Sequence, residues 1–271
     1  MNNIIDYYSR FDEWGRLDRE PLEFIVNMYY LNKYLPKKGH ILDNGAGPGK
    51  YAMRLAQAGY QVSLSDLTPA LVEKAREQAK QLQLTSKFTG FYVQNAIALS
   101  EFNNDSFDAS LMLGPMYHLQ QEEDRMRALQ ELYRVTKPGG TVFVAFQSRT
   151  RMQLNSLQNP LHWKPNHTME GIERFISSGS FNHEDQGRFT GAYYFGVEEI
   201  RPFMEQYGFE SLELIGSTSV GGLLDTKASE YWLEQGEEVY QKFINMMIET
   251  ATDPSILGVS SHLLYIGRKE R

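Results

Sequence analysis

The 271-residue chain carries 27 lysines and arginines against 34 aspartates and glutamates, a formal net charge of -7, and 41% of its residues are hydrophobic. That is ordinary globular composition, and with no basic run it argues against a surface built to grip a nucleic-acid backbone. Cysteine is absent, which excludes disulfides, thiolate metal sites and a cysteine nucleophile, and fits a reducing compartment.

The first ten residues are polar and aromatic, with no apolar core behind a basic start, so no export signal is expected. No stretch approaches the roughly 20 apolar residues of a membrane span, and a cytoplasmic protein is expected. From Leu35 to Phe146, apolar runs alternate with helical patterns. Ile41-Leu42 reads as a short strand ending at Asp43, and Lys50 to Ala58 as a helix closed by Gly59, where a C-cap glycine belongs. Gln61 to Ser65 is a second strand. Thr68-Pro69 predicts a helix start, Thr capping and Pro in the first turn. Leu71, Val72, Ala75, Ala79 and Leu82 continue that helix at helical spacing. Phe91 to Val93 and Phe107 to Leu113 are strands three and four, and Glu122 to Val135 is a helix. Lys137 to Gly140 is a turn, and Thr141 to Phe146 a fifth strand. Ser148 to Gly196 is long, polar-aromatic and weakly periodic. A helix over Val197 to Tyr207, a strand over Phe209 to Ile215, a helical stretch over Lys227 to Thr250 and a strand over His262 to Gly267 complete the chain. Strand and helix in alternation predict a parallel sheet with helices on both faces.

Asp43-Asn44-Gly45-Ala46-Gly47-Pro48-Gly49 joins the first strand to a helix. Glycines let the backbone turn tightly and approach a ligand, and the helix start offers free N–H groups. In an open parallel sheet, ligands bind beyond the carboxyl ends of the strands. Asp66, at the end of the second strand, is placed to accept the hydroxyls of a ribose. The dinucleotide pattern G-x-G-x-x-G is broken by Lys50, and Asp43 opposes a pyrophosphate while suiting a ligand with an ammonium and a sulfonium.

On these residues the chain resembles the class I S-adenosylmethionine-dependent methyltransferases, in their type 11-like small-molecule group. Further motifs follow in order: Tyr92 to Ala96, Ser106-Phe107-Asp108 with Leu111 to Leu119, and Arg134 to Gly140. The resemblance covers about Leu35 to Phe146 and, more loosely, Phe195 to Ile215. It implies an α/β fold, Rossmann-like and doubly wound, with a mostly parallel seven-stranded sheet and an inserted lid after the fifth strand. It also implies S-adenosylmethionine held by Asp43, Gly45, Ala46, Gly47, Gly49, Asp66, Leu67, Asn95, Ala96 and Leu113, with Tyr8 from an N-terminal cover. Asn95 would meet the adenine amino group, and Ala96 would offer its backbone N–H.

The expected reaction is one in-line displacement onto a small-molecule acceptor, with alignment as the protein's main contribution. His118 and Tyr117, in Gly114-Pro115-Met116-Tyr117-His118, are the candidate catalytic residues, although both also suit helix packing. This motif is not the Asn/Asp-Pro-Pro-Tyr type that methylates base amines. One domain is expected over 1–271, with a helical cover over 1–34. Insertions over 148–196 and 217–260 would form an acceptor lid or a dimer contact. Trp163, His167, His183, Tyr193 and Tyr194 are the candidate acceptor residues, and the histidines lack a metal-ligand spacing. A monomer or homodimer acting on a small molecule, with neither nucleic acid nor membrane as partner, is expected. The rival readings are a non-catalytic S-adenosylmethionine-binding protein, an RNA methyltransferase and an NAD-dependent dehydrogenase.

Overall fold

The computed structural model describes residues 2–19, 21–184 and 191–270. Three helices open the chain: α1 (Asn2–Tyr8), α2 (Glu13–Arg19) and α3 (Pro21–Tyr34). Strand and helix then alternate through β1 (His40–Asn44), α4 (Lys50–Gln57), β2 (Gln61–Asp66), α5 (Pro69–Gln81), β3 (Phe88–Val93) and β4 (Phe107–Met112). The short α6 (Pro115–His118), α7 (Glu122–Val135) and β5 (Thr136–Ser148) follow. Next come α8 (Arg149–Gln158), α9 (Met169–Ser178), β6 (Ser180–Phe181), β7 (Ala192–Phe195), α10 (Val197–Glu205) and β8 (Phe209–Gly216). The described chain ends with a 3-10 turn (Ser219–Leu223), α11 (Thr226–Glu234), α12 (Glu237–Thr250), α13 (Pro254–Leu257) and β9 (His262–Lys269).

The main sheet runs β3-β2-β1-β4-β5-β9-β8. Its pairs from β3 to β5 are parallel, and β9 lies antiparallel between β5 and β8. This is the expected seven-stranded, mostly parallel layout. Side-chain alternation along β5 sorts the core into two layers. Phe143 faces one way with Ile41, Leu111 and Ile266, packing against Leu31, Leu55 and Val72. Val142, Val144 and Phe146 face the other way, against Leu129, Leu132 and Ile200. Both faces are covered, which is why these strands read as continuous apolar runs.

Several local expectations change. Thr68 makes no side-chain cap on α5. Its hydroxyl hydrogen-bonds Asp66 instead. Leu82 lies beyond α5 and is exposed. The Lys137 to Gly140 turn is absorbed into β5 as an irregularity: Phe107 pairs with Thr136, then Ala109 with Thr141. Gly139 has a φ of 76°, a conformation open to glycine at little cost. The helical stretch from Lys227 breaks between α11 and α12 at Gly236, whose φ is 91°. The insert over 148–196 is folded where it is described. It forms α8, α9 and a β6/β7 ribbon that joins β5 through Gln147–Tyr194 and Ser148–Phe195. Residues 185–190 of that insert, and Met1 and Glu20 of the N-terminal segment, lie outside the described residues. Among the described residues, no helix is long and apolar enough to cross a membrane.

Candidate active site

The glycine loop caps the carboxyl end of β1. Gly45, Gly47 and Gly49 take φ values of 72°, 57° and 83°, the left-handed region that side chains resist. The N–H groups of Gly45 and Ala46 donate to the Ser65 carbonyl at 2.8 and 3.1 Å, tying the loop to β2. A Cβ at Gly45 would lie 2.2 Å from Pro115 Cγ, so the loop is packed against the turn after β4. Gly49 serves the fold: it precedes α4, a Cβ there would lie 2.7 Å from Leu64, and it is not part of the cavity wall.

Asp66 ends β2 beneath this loop and is buried. Its Oδ2 accepts from the Gly47 N–H and its Oδ1 from the Thr68 N–H, each at 2.8 Å. The Thr68 hydroxyl donates to the same carboxylate, which lines the cavity. Burial pushes the Asp66 carboxyl up, while Thr68 and Gly47 pull it back.

Asp43, at the end of β1, is also buried. Burial pushes its carboxyl up to about 7; a hydrogen bond from the Ala52 backbone opposes the rise and the charge of Asp66 adds to it. Asp43 Oδ2 has no hydrogen-bond partner, nor has the Gln94 Nε2, among the described residues. Buried polar atoms of this kind usually find partners, and both residues line one cavity. Gly45, Ala46, Gly47, Asp66, Leu67, Asn95, Ala96 and Leu113 line it too. The Asn95 Oδ1 accepts from the Ile97 N–H at 3.3 Å.

The other half of the cavity is built by α1 to α3 and α6. Ile4, Tyr8, Arg16, Leu17 and Glu23 form one wall, with Tyr117 and His118 opposite. His118 Nε2 and Tyr8 Oη are hydrogen-bonded at 2.9 Å, and the two rings meet edge to face. Burial, then the nearby His262, pushes the His118 imidazole down to about 4, so the ring is neutral at pH 7. The Tyr117 hydroxyl donates to the Leu113 carbonyl at 3.4 Å. Arg16 reaches Glu23 at 3.2 Å, and Glu23 reaches His262 Nδ1 at 3.3 Å. Burial would raise the Glu23 carboxyl, but His262 and Arg16 outweigh it and hold it below the usual range. The cavity encloses about 1150 Å³ of empty space, open mouth included.

The five candidate acceptor residues from the insert lie elsewhere. Trp163 and Tyr194 belong to a separate cluster with Phe175 and Phe181. His183 sits 6.0 Å from Trp163, centroid to centroid. His167 is exposed. Tyr193 lies under the Arg125 guanidinium at 3.7 Å. None of the five lines the cavity. In their place the cavity wall takes Arg16, Glu23, Lys50 and Tyr51. Sequence reasoning had no hold on these four. Arg16 and Glu23 stand on N-terminal helices, where charged residues read as solvated faces until tertiary packing turns them inward, and Lys50 and Tyr51 open α4, where neither carries a motif signal.

Residues 41–140 match the family model described as a methyltransferase domain. Over 259 residues the chain is 22% identical to a glycine/sarcosine N-methyltransferase of Parasynechococcus marenigrum, spanning 89% of this chain and 85% of that protein. Over 188 residues it is 29% identical to a ubiquinone/menaquinone biosynthesis C-methyltransferase of Zymomonas mobilis, spanning 68% and 72%. Among solved structures, a SAM-dependent methyltransferase from Methanosarcina mazei superposes with a TM-score of 0.60 at 21% identity, over 89% of this chain and 97% of that one. Phosphoethanolamine N-methyltransferase 2 of Haemonchus contortus, in complex with S-adenosyl-L-methionine, superposes with a TM-score of 0.56 at 19% identity, over 90% and 52%.

Proposed function

Because this chain belongs to the class I S-adenosylmethionine-dependent methyltransferases, we propose that it methylates a small molecule bound between the glycine loop and the wall made by α1 to α3. The observation that carries this reading is the single cavity that joins Asp43, Asp66 and the glycine loop to Tyr8, Glu23 and His118.

The residues present fit the methyl donor. The unpartnered buried Oδ2 of Asp43 suits an ammonium group. The Asp66 carboxylate, on the cavity wall, suits a ribose diol. Leu67, Ala96 and Leu113 offer apolar surface to a flat base, with the Asn95 side chain at its edge. Gly45 and Gly47 admit backbone approach, and Tyr8 closes the cover. Bound there, S-adenosylmethionine supplies a methyl group already activated on a sulfonium.

The remaining contribution is alignment in a site that excludes water, where orientation can supply roughly 7–11 kcal/mol. His118 is neutral at pH 7 and hydrogen-bonded to Tyr8. Its role in this reading is to orient the acceptor's nucleophilic atom. With a pKa pushed so far below the working pH, it is a poor proton acceptor. Tyr117, its hydroxyl engaged with Leu113, shapes the floor. The acceptor meets α1 to α3, while the described part of the insert supports the floor from behind. Gln120 Nε2 donates to Asn182 Oδ1 at 2.9 Å, and Arg125 Nη1 donates to the carbonyls of Leu119 and Gln120. The names of the two relatives, one for glycine and sarcosine and one for quinone biosynthesis, support a small acceptor.

The test is His118→Ala. Turnover of an identified acceptor is expected to fall at least tenfold, with binding of S-adenosylhomocysteine held within about threefold. Unchanged turnover would remove His118 from the reaction.

A further inference from the structure

Beside Glu23, where the α3 wall meets the ends of β5 and β9, lies a second polar locus. Four buried polar atoms there have no hydrogen-bond partner among the described residues: Gln147 Oε1, Arg151 Nε, Arg151 Nη1 and Ser217 Oγ. Their residues stand on a closed ring of contacts. Gln147 Nε2 lies 3.4 Å from His262 Nε2, and the Ser217 N–H donates to the His262 carbonyl at 2.9 Å. His262 meets Glu23 at 3.3 Å. Leu22, the neighbour of Glu23, packs against Gly221, where a Cβ would lie 2.2 Å from its Cδ2. Arg151 Nη2 donates to the Gly222 carbonyl at 2.8 Å. Arg151, in the first turn of α8, follows Gln147 of β5 by four residues, which closes the ring.

Arg151 makes no ion pair among the described residues. Arg151 is half-buried, with its Nε and Nη1 shielded from solvent, and shielding a cation without a counter-charge is costly. The nearest carboxylate on the ring, Glu23, is already matched by Arg16 and His262. The locus therefore carries an unspent positive charge, a hydroxyl donor and an amide acceptor, joined through Glu23 to the methyl-transfer cavity. A guanidinium presents its N–H groups in a fork that matches a carboxylate.

We propose that Arg151 and Ser217 hold the carboxylate of the methyl acceptor, with Gln147 accepting from a neighbouring acceptor N–H or O–H. The enzyme would thus take small molecules that carry a carboxylate several bonds from the methylated atom. This assignment rests on the methyl-transfer reading above and deepens it.

The experiment is thermal melting of the S-adenosylhomocysteine-loaded protein at fixed ionic strength, titrated separately with sodium acetate and with inorganic phosphate. Calorimetric titration of S-adenosylhomocysteine is run in parallel on wild type, Arg151→Gln and Ser217→Ala. Acetate at about ten times its dissociation constant is expected to raise the wild-type Tm by about 3 °C. The shift should vanish in Arg151→Gln and shrink in Ser217→Ala, with S-adenosylhomocysteine bound equally by all three. Arg151→Gln removes a half-buried cation that has no ion pair among the described residues, so it should fold, and Ser217→Ala carries the test if it does not. No acetate shift in wild type, an equal shift in both variants, or a shift with phosphate alone would overturn the assignment. Failure of wild type to bind S-adenosylhomocysteine would instead strike the methyl-transfer reading itself.

Discussion

Asp66 carries two loads at once. It holds the Gly47 and Thr68 N–H groups, and in the proposed reading it also accepts the ribose hydroxyls. Hydrogen bonds to charged groups contribute about 1.5–3 kcal/mol each. Asp66→Ala is therefore expected to weaken S-adenosylhomocysteine binding by about a hundredfold or more in calorimetry, and wild-type affinity would remove Asp66 from the ligand. Asp43 governs a pH effect. Its folded pKa of about 7 stands above its ordinary 3.8. Between those values the folded protein holds a proton that the unfolded chain has lost, so this group's stabilisation is present below about 4 and is lost as pH rises toward 7. His118 acts in the opposite sense. Its folded pKa of about 4 lies below the ordinary 6.5, so its contribution is present above 6.5 and lost as pH falls toward 4. Asp43→Asn in the ligand-free protein should remove the decline in Tm between pH 4 and 7 that Asp43 causes, leaving the acid-side loss from His118. A Tm profile identical to wild type would show that Asp43 titrates normally.

At the scale of elements, the junction of β1 and α4 is the tightest part of the site. Gly49→Ala would force a left-handed φ of 83° on a residue with a Cβ, 2.7 Å from Leu64. That should cost about 2 kcal/mol or more in denaturant melts, and a loss under 0.5 kcal/mol would contradict the geometry. The link of α1 to α6 is weaker. Tyr8→Phe removes one hydrogen bond to His118, worth about 1 kcal/mol. Hydrogen exchange should accelerate in α1 while the β-sheet core stays as protected as in wild type. Equal acceleration across the sheet would mean that α1 is not a separable cover. The glycine loop and its two carboxylates were readable because their chemistry is local: positive φ needs glycine, and a strand end needs a particular side chain there. The helical cover and Tyr8 were expected, but the charged part of the α1 to α3 wall was not readable, because Arg16 and Glu23 gain their meaning only from His262, more than two hundred residues away. Arg125 escaped for a related reason. A hydrophobic stripe along α7 has no place for a guanidinium, yet it is buried against Tyr193 and the carbonyls after α6.

At the scale of the molecule, the sheet from β1 to β5 followed from alternating apolar runs and helical stripes, and β8 and β9 from the same pattern after the insert. The insert itself gave no such signal: its ribbon strands β6 and β7 span only two and four residues, too short for periodicity to register. Its aromatic residues suggested an acceptor pocket. Trp163, Phe175, Phe181 and Tyr194 form a small core of their own, and Tyr193 packs under Arg125 near the segment after α6, while the cavity opens toward the N-terminal helices. In the proposed reading, that arrangement makes acceptor choice a property of α1 to α3 and the ends of β5 and β9. The most direct measurement of the central claim is methyl transfer from S-adenosylmethionine labelled in its methyl group, incubated with the protein and a cell extract and then fractionated by size. The account predicts label in the low-molecular-weight fraction, absent with Asp66→Ala. Label confined to nucleic acid or protein would contradict it.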